Sequence, residues 1–211
     1  MTELHDPPPG RAGSALEQAP PWRRPSGLVA VSLVAAGWAL LYALYRGYYG
    51  LGGTVGMFGT PTSWTEWRQI NLVAAAILLV AAALPVAALP LWQRPRLRPV
   101  LLAVCWVVAV GCTMHGLIDD VERVLSLTGR LELDYPIFAT VNRRAADLQD
   151  LIFNETWFLI EGMLWGFLAW TSLGRSPGRR WWVATAVVAV AALTSIGLLS
   201  AFGVVGTFIV A

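Results

Sequence analysis

Five long apolar runs, at about 27–45, 70–91, 99–118, 153–173 and 181–209, constrain this chain more than any motif in it. Each approaches or exceeds the roughly 20 residues a helix needs to cross a hydrocarbon core of about 30 Å. The runs are apolar all round, whereas a helix of a soluble domain keeps a wet face. Composition agrees, with 56% hydrophobic and only 13% charged residues, outside the usual balance of a soluble domain. The expectation is an all-α polytopic membrane protein of five transmembrane helices over 27–211, behind a disordered cytoplasmic tail at 1–26. That tail holds six of the thirteen prolines and no periodic apolar pattern, so it cannot bury enough surface to fold. No Ala-x-Ala cleavage site closes the first run before Arg46, which is expected to stay as a span rather than leave as a signal peptide.

All fifteen basic residues are arginine, and their distribution sets the expected topology. Arg11, Arg23 and Arg24, then Arg94, Arg96 and Arg98, then Arg175, Arg179 and Arg180 alternate along the chain with two longer loops at 46–69 and 119–152. Placing the three arginine groups inside satisfies the positive-inside rule without exception, with the N-terminus in and the C-terminus out. Arginine without lysine, together with abundant Ala, Val, Gly and Pro, is the usage of a GC-rich bacterial genome, so a bacterial plasma membrane and its lipids are the expected surroundings. A net charge of +2 on dispersed arginines argues against nucleic acid as a partner.

The ionisable residues that could reach a membrane boundary concentrate between His115 and Glu161. If the third helix continues past its apolar run, His115, Asp119, Glu122 and Arg123 fall on one face, at spacings of four, seven and eight. Asp150, Asn154, Trp157 and Glu161 share a face of the fourth helix in the same way. Should the two helices pack together, His115 and Glu161 would face one another. Glu161 is the deep member, surrounded by Phe158, Leu159, Ile160, Met163 and Leu164, and a carboxylate at such depth is a functional hypothesis that needs a named partner. His115, Arg123 and Arg46 are the candidates. A hydrogen-bonded Glu161 that ties helices together is the equal alternative. The charges of the intervening loop read as solvated surface.

Other features point to packing. Cys105 and Cys112, seven residues apart on one helix, lie too far apart to form a disulfide and read as small buried side chains. Gly50, Gly52, Gly53, Gly56 and Gly59 give a flexible first loop without the spacing of a phosphate cradle. Tyr42, Tyr45 and Tyr49 form a stripe that reads as interfacial anchoring, ahead of an aromatic cage for a ligand. Serine-hydrolase and zinc-protease motifs are absent. With His115 the sole histidine outside the tail, a multi-histidine metal site is impossible. A metal held by His115 with Asp119 and Glu161 is the lesser alternative, without recognisable ligand spacing, so neither a metal centre nor a cofactor is expected.

Two stretches, LYRGYYGLGGTVGMFGTP and FNETWFLIEGMLWGFLAW, resemble those of small multi-span membrane proteins of actinobacteria grouped as a domain family of unknown function. The resemblance covers the first two spans and the fourth, rests on glycines and aromatics, and implies only the membrane setting. The layout of five spans with intramembrane acids is also similar to that of small membrane isomerases and cyclases acting on sterols or isoprenoids, without their motifs. The expected function is an outward-facing polar pocket that binds or transforms a lipid-like or isoprenoid small molecule. Glu161, His115 and Asp119 would do the proton chemistry, and Arg123, Asn154, Trp157, Asp150 and Arg46 would position the ligand. A non-enzymatic membrane subunit, docking a partner or a second copy of the chain, is the alternative. A transporter is weaker, because the spans show no internal repeat.

Overall fold

The computed structural model describes residues 26–174 and 176–204; the expected tail up to residue 25, Arg175 and the end of the fifth run lie outside them. The described residues are mostly helical. In chain order the elements are α1 (Ser26–Gly50), β1 (Gly59–Pro61), α2 (Trp64–Ala87), a 3-10 turn (Leu91–Gln93), α3 (Arg98–Leu127), β2 (Phe138–Val141), α4 (Arg143–Gln149), a π turn (Asp150–Asn154), α5 (Glu155–Leu173) and α6 (Gly178–Ala201). Four of the helices, α1, α2, α3 and α6, are long and apolar enough to cross a membrane. The helix α5 stands apart from these four: it is shorter and carries Glu155, Glu161 and three tryptophans.

Local sequence accounts for the helix limits. Ser63 caps α2 by accepting the Glu66 amide at 3.3 Å, a pairing that starts the helix six residues ahead of the apolar run. Pro99 at the head of α3 occupies a position whose amide has no helical partner. At the other end α3 continues past its apolar run to Leu127, so His115, Asp119 and Arg123 all stand on regular helix. Pro85 is accommodated inside α2 and buried.

The helices pack in the order α2, α1, α5, α3, α6. Gly47 faces Ala75 and Gly50 faces Leu72, so α1 and α2 run antiparallel. Gly116 faces Leu159 and Gly162 faces Thr113, which makes α3 and α5 antiparallel too. Along the α1–α5 seam the Trp38 indole donates to the Trp157 carbonyl at 3.2 Å, and the rings stack with centroids 4.0 Å apart. Trp182 donates to the Leu102 carbonyl and Trp106 to Thr185 Oγ1, so α6 runs parallel to α3. Its remaining faces are largely exposed. A core of Leu28, Trp92, Cys105, Ala109, Trp165 and Leu168 fills the end of the bundle where α1 and α3 begin. Both cysteines are free.

At the opposite end the two long loops are joined. β1 and β2 pair antiparallel, Gly59 against Val141 and Thr60 against Thr140, which ties the glycine-rich first loop to the charged second one. A Cβ at Gly59 would overlap the Thr140 carbonyl, so the close approach needs glycine there. The first loop is therefore held in a ladder at Gly59 instead of hanging free. The tyrosine stripe of α1 also departs from expectation. Tyr42 and Tyr49 are buried, and Tyr42 stacks on Trp157 at 5.1 Å while Tyr45 meets Phe153 edge-on. These rings turn inward because α5 and the π turn offer aromatic partners; of the α1 tyrosines, Tyr48 alone is exposed.

Candidate functional site

The α3–α5 seam is built on two glycines, and the polar groups near it sit where they do as a result. A Cβ on Gly116 would stand 2.9 Å from Leu159 Cδ2 and 3.1 Å from the Glu155 carbonyl oxygen, and one on Gly162 would stand 3.0 Å from the Ala109 carbonyl oxygen. Small residues permit such contact between helix backbones. Immediately before α5 the chain makes its π turn, in which the Glu155 amide bonds to the Asp150 carbonyl. The extra residue of a π turn rotates the helix on its C-terminal side relative to the helix on its N-terminal side, and such turns are frequent at functional sites.

The rotation divides the face that α-helical spacing predicts for Asp150, Asn154, Trp157 and Glu161. Asp150 and Asn154 face α3 and α1, with the Asn154 amide donating to Asp150 Oδ1 at 2.6 Å and the Tyr42 hydroxyl donating to Asn154 Oδ1 at 3.3 Å. Trp157 packs on α1 between Trp38 and Tyr42. Glu161 is 6% exposed and accepts the Trp165 indole N–H at 2.7 Å, one turn along its own helix.

His115 and Glu161 do not form the expected pair. The helices do pack together, but in this register the acidic residue opposite His115 is Glu155. His115 Nε2 lies 3.5 Å from Asp119 Oδ2 and 3.8 Å from Glu155 Oε2. Among the described residues Glu161 has no ion pair, whether with His115, Arg123 or Arg46. Glu155 is 4% exposed, and its Oε2 has no hydrogen-bond partner. The ring of Phe158 closes one side of the imidazole edge-on, with centroids 4.5 Å apart.

One turn further along α3, Arg123 organises a second cluster. Its guanidinium meets Asp150 Oδ2 at 3.1 Å and Asp147 Oδ1 at 3.5 Å, and donates to the Tyr135 hydroxyl at 3.1 Å. Asp147, only 2% exposed, also accepts from the Ser126 hydroxyl at 2.7 Å and from Tyr135. Burial, and next the bond to Asp147, push the Tyr135 phenol above its ordinary range, so it keeps its proton and donates it. Burial pushes the Asp150 carboxyl up as well, and Arg123 and Asn154 pull it back. The loop that reads as solvated surface thus supplies a fully buried carboxylate. Arg130, Glu132, Asp134, Arg143 and Arg144 are exposed as that reading expects, with Glu132 and Arg143 paired at 2.7 Å.

Between this cluster and the β ladder lies a cavity of about 200 Å³, lined by Arg46, Arg123, Asp150, Asn154 and Gln149 together with Tyr45, Tyr49, Trp67 and Phe138. Gln149 donates to the Tyr45 hydroxyl at 2.8 Å. Arg123 is matched by its aspartates, whereas Arg46 has no ion pair among the described residues. The cavity consequently has a cationic wall and an aromatic floor.

The structure thus brings His115 and Asp119 together, gathers Arg123, Asp150, Asn154 and Arg46 around one cavity, and leaves Glu161 and Trp157 in the helix seams. Glu155, Asp147 and Tyr135 join the site without having been singled out by sequence. Glu155 comes opposite His115 because Gly116 lies against Leu159 and the Glu155 carbonyl, a helix register that no spacing in the sequence states. Comparison with protein-family models, with curated proteins and with solved structures returns no match to this chain.

Proposed function

We propose that this chain crosses a bacterial plasma membrane five times, N-terminus inside and C-terminus outside, and that the ladder end binds the anionic head of a lipid-like or isoprenoid amphiphile. The alternation of helix directions supports five spans. The helix α5 lies between α1 and α3 and runs against both, as a span returning between two others must. Arg94, Arg96, Arg98, Arg179 and Arg180 all lie in connections or first helical turns at the end away from the ladder, in keeping with the positive-inside rule.

The observation that carries the binding reading is Arg46, without an ion pair among the described residues, at the wall of a cavity whose other charges, Arg123 and Asp150, are paired with each other and whose floor is aromatic. A guanidinium in such surroundings attracts a phosphate or carboxylate. At about 200 Å³ the space is below the roughly 300–1,000 Å³ of pockets that swallow a whole small molecule, so it suits a head group whose tail remains outside. Asp119 and His115, one and two turns along α3 from Arg123, and Glu155, the residue after Asn154, are the groups for proton transfer to such a ligand.

Calorimetric titration of the purified protein in detergent with geranyl phosphate, geraniol and inorganic phosphate tests this. Saturable binding of geranyl phosphate, weaker binding of the other two and at least a tenfold loss in Arg46→Gln are expected. Equal binding of geraniol and its phosphate, or a phosphate affinity unchanged in Arg46→Gln, defeats the proposal. The second reading, a non-enzymatic subunit whose polar groups hold the bundle together, is favoured by the well-matched Arg123 cluster. It predicts no ligand for either protein and a lower melting temperature for Arg123 variants.

A further inference from the structure

We propose that His115, Asp119 and Glu155 form a binding site for one divalent transition-metal ion, with Zn²⁺ the best-suited probe. One donor atom from each residue lies within 4.8 Å of the other two. Four ligands at the roughly 2.0–2.1 Å bond lengths of tetrahedral zinc stand about 3.3–3.5 Å from one another. The separations of 3.5 Å and 3.8 Å from His115 Nε2 to the two carboxylate oxygens are already close to that spacing.

Hydrogen bonding does not explain the same geometry. Both distances exceed the about 2.7–3.2 Å of an N–H···O bond. Glu155 is 4% exposed, and the oxygen it turns toward His115 is buried without any hydrogen-bond partner. A buried carboxylate oxygen in that condition costs free energy unless something completes it. A cation placed among the three donors does so, and it also relieves the repulsion between Asp119 and Glu155.

Donor type and position narrow the choice of ion. An imidazole nitrogen with two carboxylate oxygens suits zinc, iron or manganese; magnesium and calcium take oxygen ligands in larger number. His115 and Asp119 are part-exposed, so the fourth position is not closed off by protein. Three protein ligands with one open position is the arrangement of catalytic rather than structural zinc. A metal held there would acidify a bound water, which would then be the proton-carrying group beside the cavity. That role rests on the amphiphile reading above; metal binding itself does not.

The test is Zn²⁺ titration of full-length, detergent-purified protein stripped with chelator, on a His5→Ala background with a histidine-free affinity tag. Competition with a chromogenic chelator reads the affinity, and Mn²⁺ and Mg²⁺ are run in parallel. One Zn²⁺ per chain is expected, with a rise in melting temperature on addition of metal. Glu155→Gln and His115→Gln should each lose more than the roughly 10–100-fold that removing an outer-shell partner costs, and should lose the metal-dependent thermal shift. Zn²⁺ affinity unchanged in either variant, or Mg²⁺ binding as tightly as Zn²⁺, overturns the proposal. Because both variants bear on the helix seam, Co²⁺ added to the unmutated chain gives an independent reading: visible absorption typical of low coordination supports the site, and the spectrum of hydrated Co²⁺ overturns it. No amphiphile is present in any of these measurements, so their failure leaves the head-group reading standing, and the converse also holds.

Discussion

Glu155 Oε2 stands 3.8 Å from His115 Nε2 because Gly116, the next residue after that histidine, lies against the backbone of Glu155 itself. A Cβ at Gly116 would come within 3.1 Å of the Glu155 carbonyl oxygen. The contact that joins α3 to α5 and the contact that assembles the polar site are therefore one contact. Stability and site geometry should change together when it is disturbed.

Gly162 tests that coupling from the α5 side. Its missing Cβ leaves room for the Ala109 carbonyl oxygen and the Thr113 amide, at 3.0 Å and 3.1 Å from where a Cβ would be. These are backbone atoms, which cannot swing aside. Gly162→Ala should therefore destabilise the protein by about 1–3 kcal/mol, the scale of overpacking, even though alanine favours helix. Gly111→Ala and Gly166→Ala, which meet nothing within 4 Å, are the controls and should be neutral or stabilising. Thermal unfolding in one detergent compares them, and a Gly162→Ala protein as stable as the controls would show that the seam is looser than the structure has it.

Arg123 holds Asp147 and Asp150 at once, and Asp147 is almost wholly buried. Removing the guanidinium leaves those carboxylates uncompensated, so Arg123→Ala should cost about 3–5 kcal/mol. Lysine places a single point charge where the planar fork reaches two acids and a phenol, so Arg123→Lys should recover only part of the loss. Asp147→Asn in the Arg123→Ala background should also restore part of it, because the amide needs no counter-ion. A double-mutant cycle on melting data measures the coupling, and additive losses would mean that the pair contributes no specific interaction.

Much of the helical architecture was legible in sequence, since apolar runs of that length have few ways to satisfy their backbone except as helices. The site was legible only in part. Helical spacing correctly grouped His115 with Asp119, because α3 is regular between them. The same spacing failed across 150–161, where the π turn adds a residue and sends Asp150 and Glu161 in different directions. Loop charges read as surface because a loop sequence does not reveal a distant partner. Asp147 is buried through Ser126, Arg123 and Tyr135, and the β ladder that folds the loop back rests on one close approach at Gly59.

The exposed pair of Glu132 and Arg143 supplies a contrast to the buried cluster. Its separation of 2.7 Å is shorter than either Arg123 contact to an aspartate, yet both side chains are more than half exposed. Solvent screening leaves such a pair with little net effect on stability. Glu132→Gln should accordingly leave the melting temperature within the scatter of repeat measurements. A clear loss would assign the 128–142 loop a larger part in holding the ladder end together than its exposure suggests.

Glu161 is better tested by two substitutions than by one. Its Oε1 accepts the Trp165 indole at 2.7 Å, and glutamine keeps an acceptor there while leucine does not. If the residue serves the helix seam, Glu161→Gln should unfold at nearly the parent temperature and Glu161→Leu should lose about 1–3 kcal/mol, the cost of stranding a buried indole N–H. If it takes part in proton chemistry, Glu161→Gln should fold normally and lose activity on a bound amphiphile. Ligand turnover unchanged in Glu161→Gln, together with the leucine deficit, assigns it to the seam.

Trp157 lies where α1 and α5 are clasped, stacked on Trp38 at 4.0 Å and on Tyr42 at 5.1 Å, with its carbonyl receiving the Trp38 indole. The backbone bond survives any side-chain change, so substitution isolates the ring. Trp157→Ala should cost about 3 kcal/mol, the lower end for truncating a large aromatic, because the ring is only part-buried. Trp157→Phe keeps a stacking partner and should cost well under half of that. Tyr42, which donates to Asn154 at the cavity wall, depends on this stack for its position, so Trp157→Ala should also weaken geranyl phosphate binding while Trp157→Phe leaves it nearly intact. Equal binding by the two variants would separate the aromatic seam from the cavity and confine Trp157 to holding the helices together.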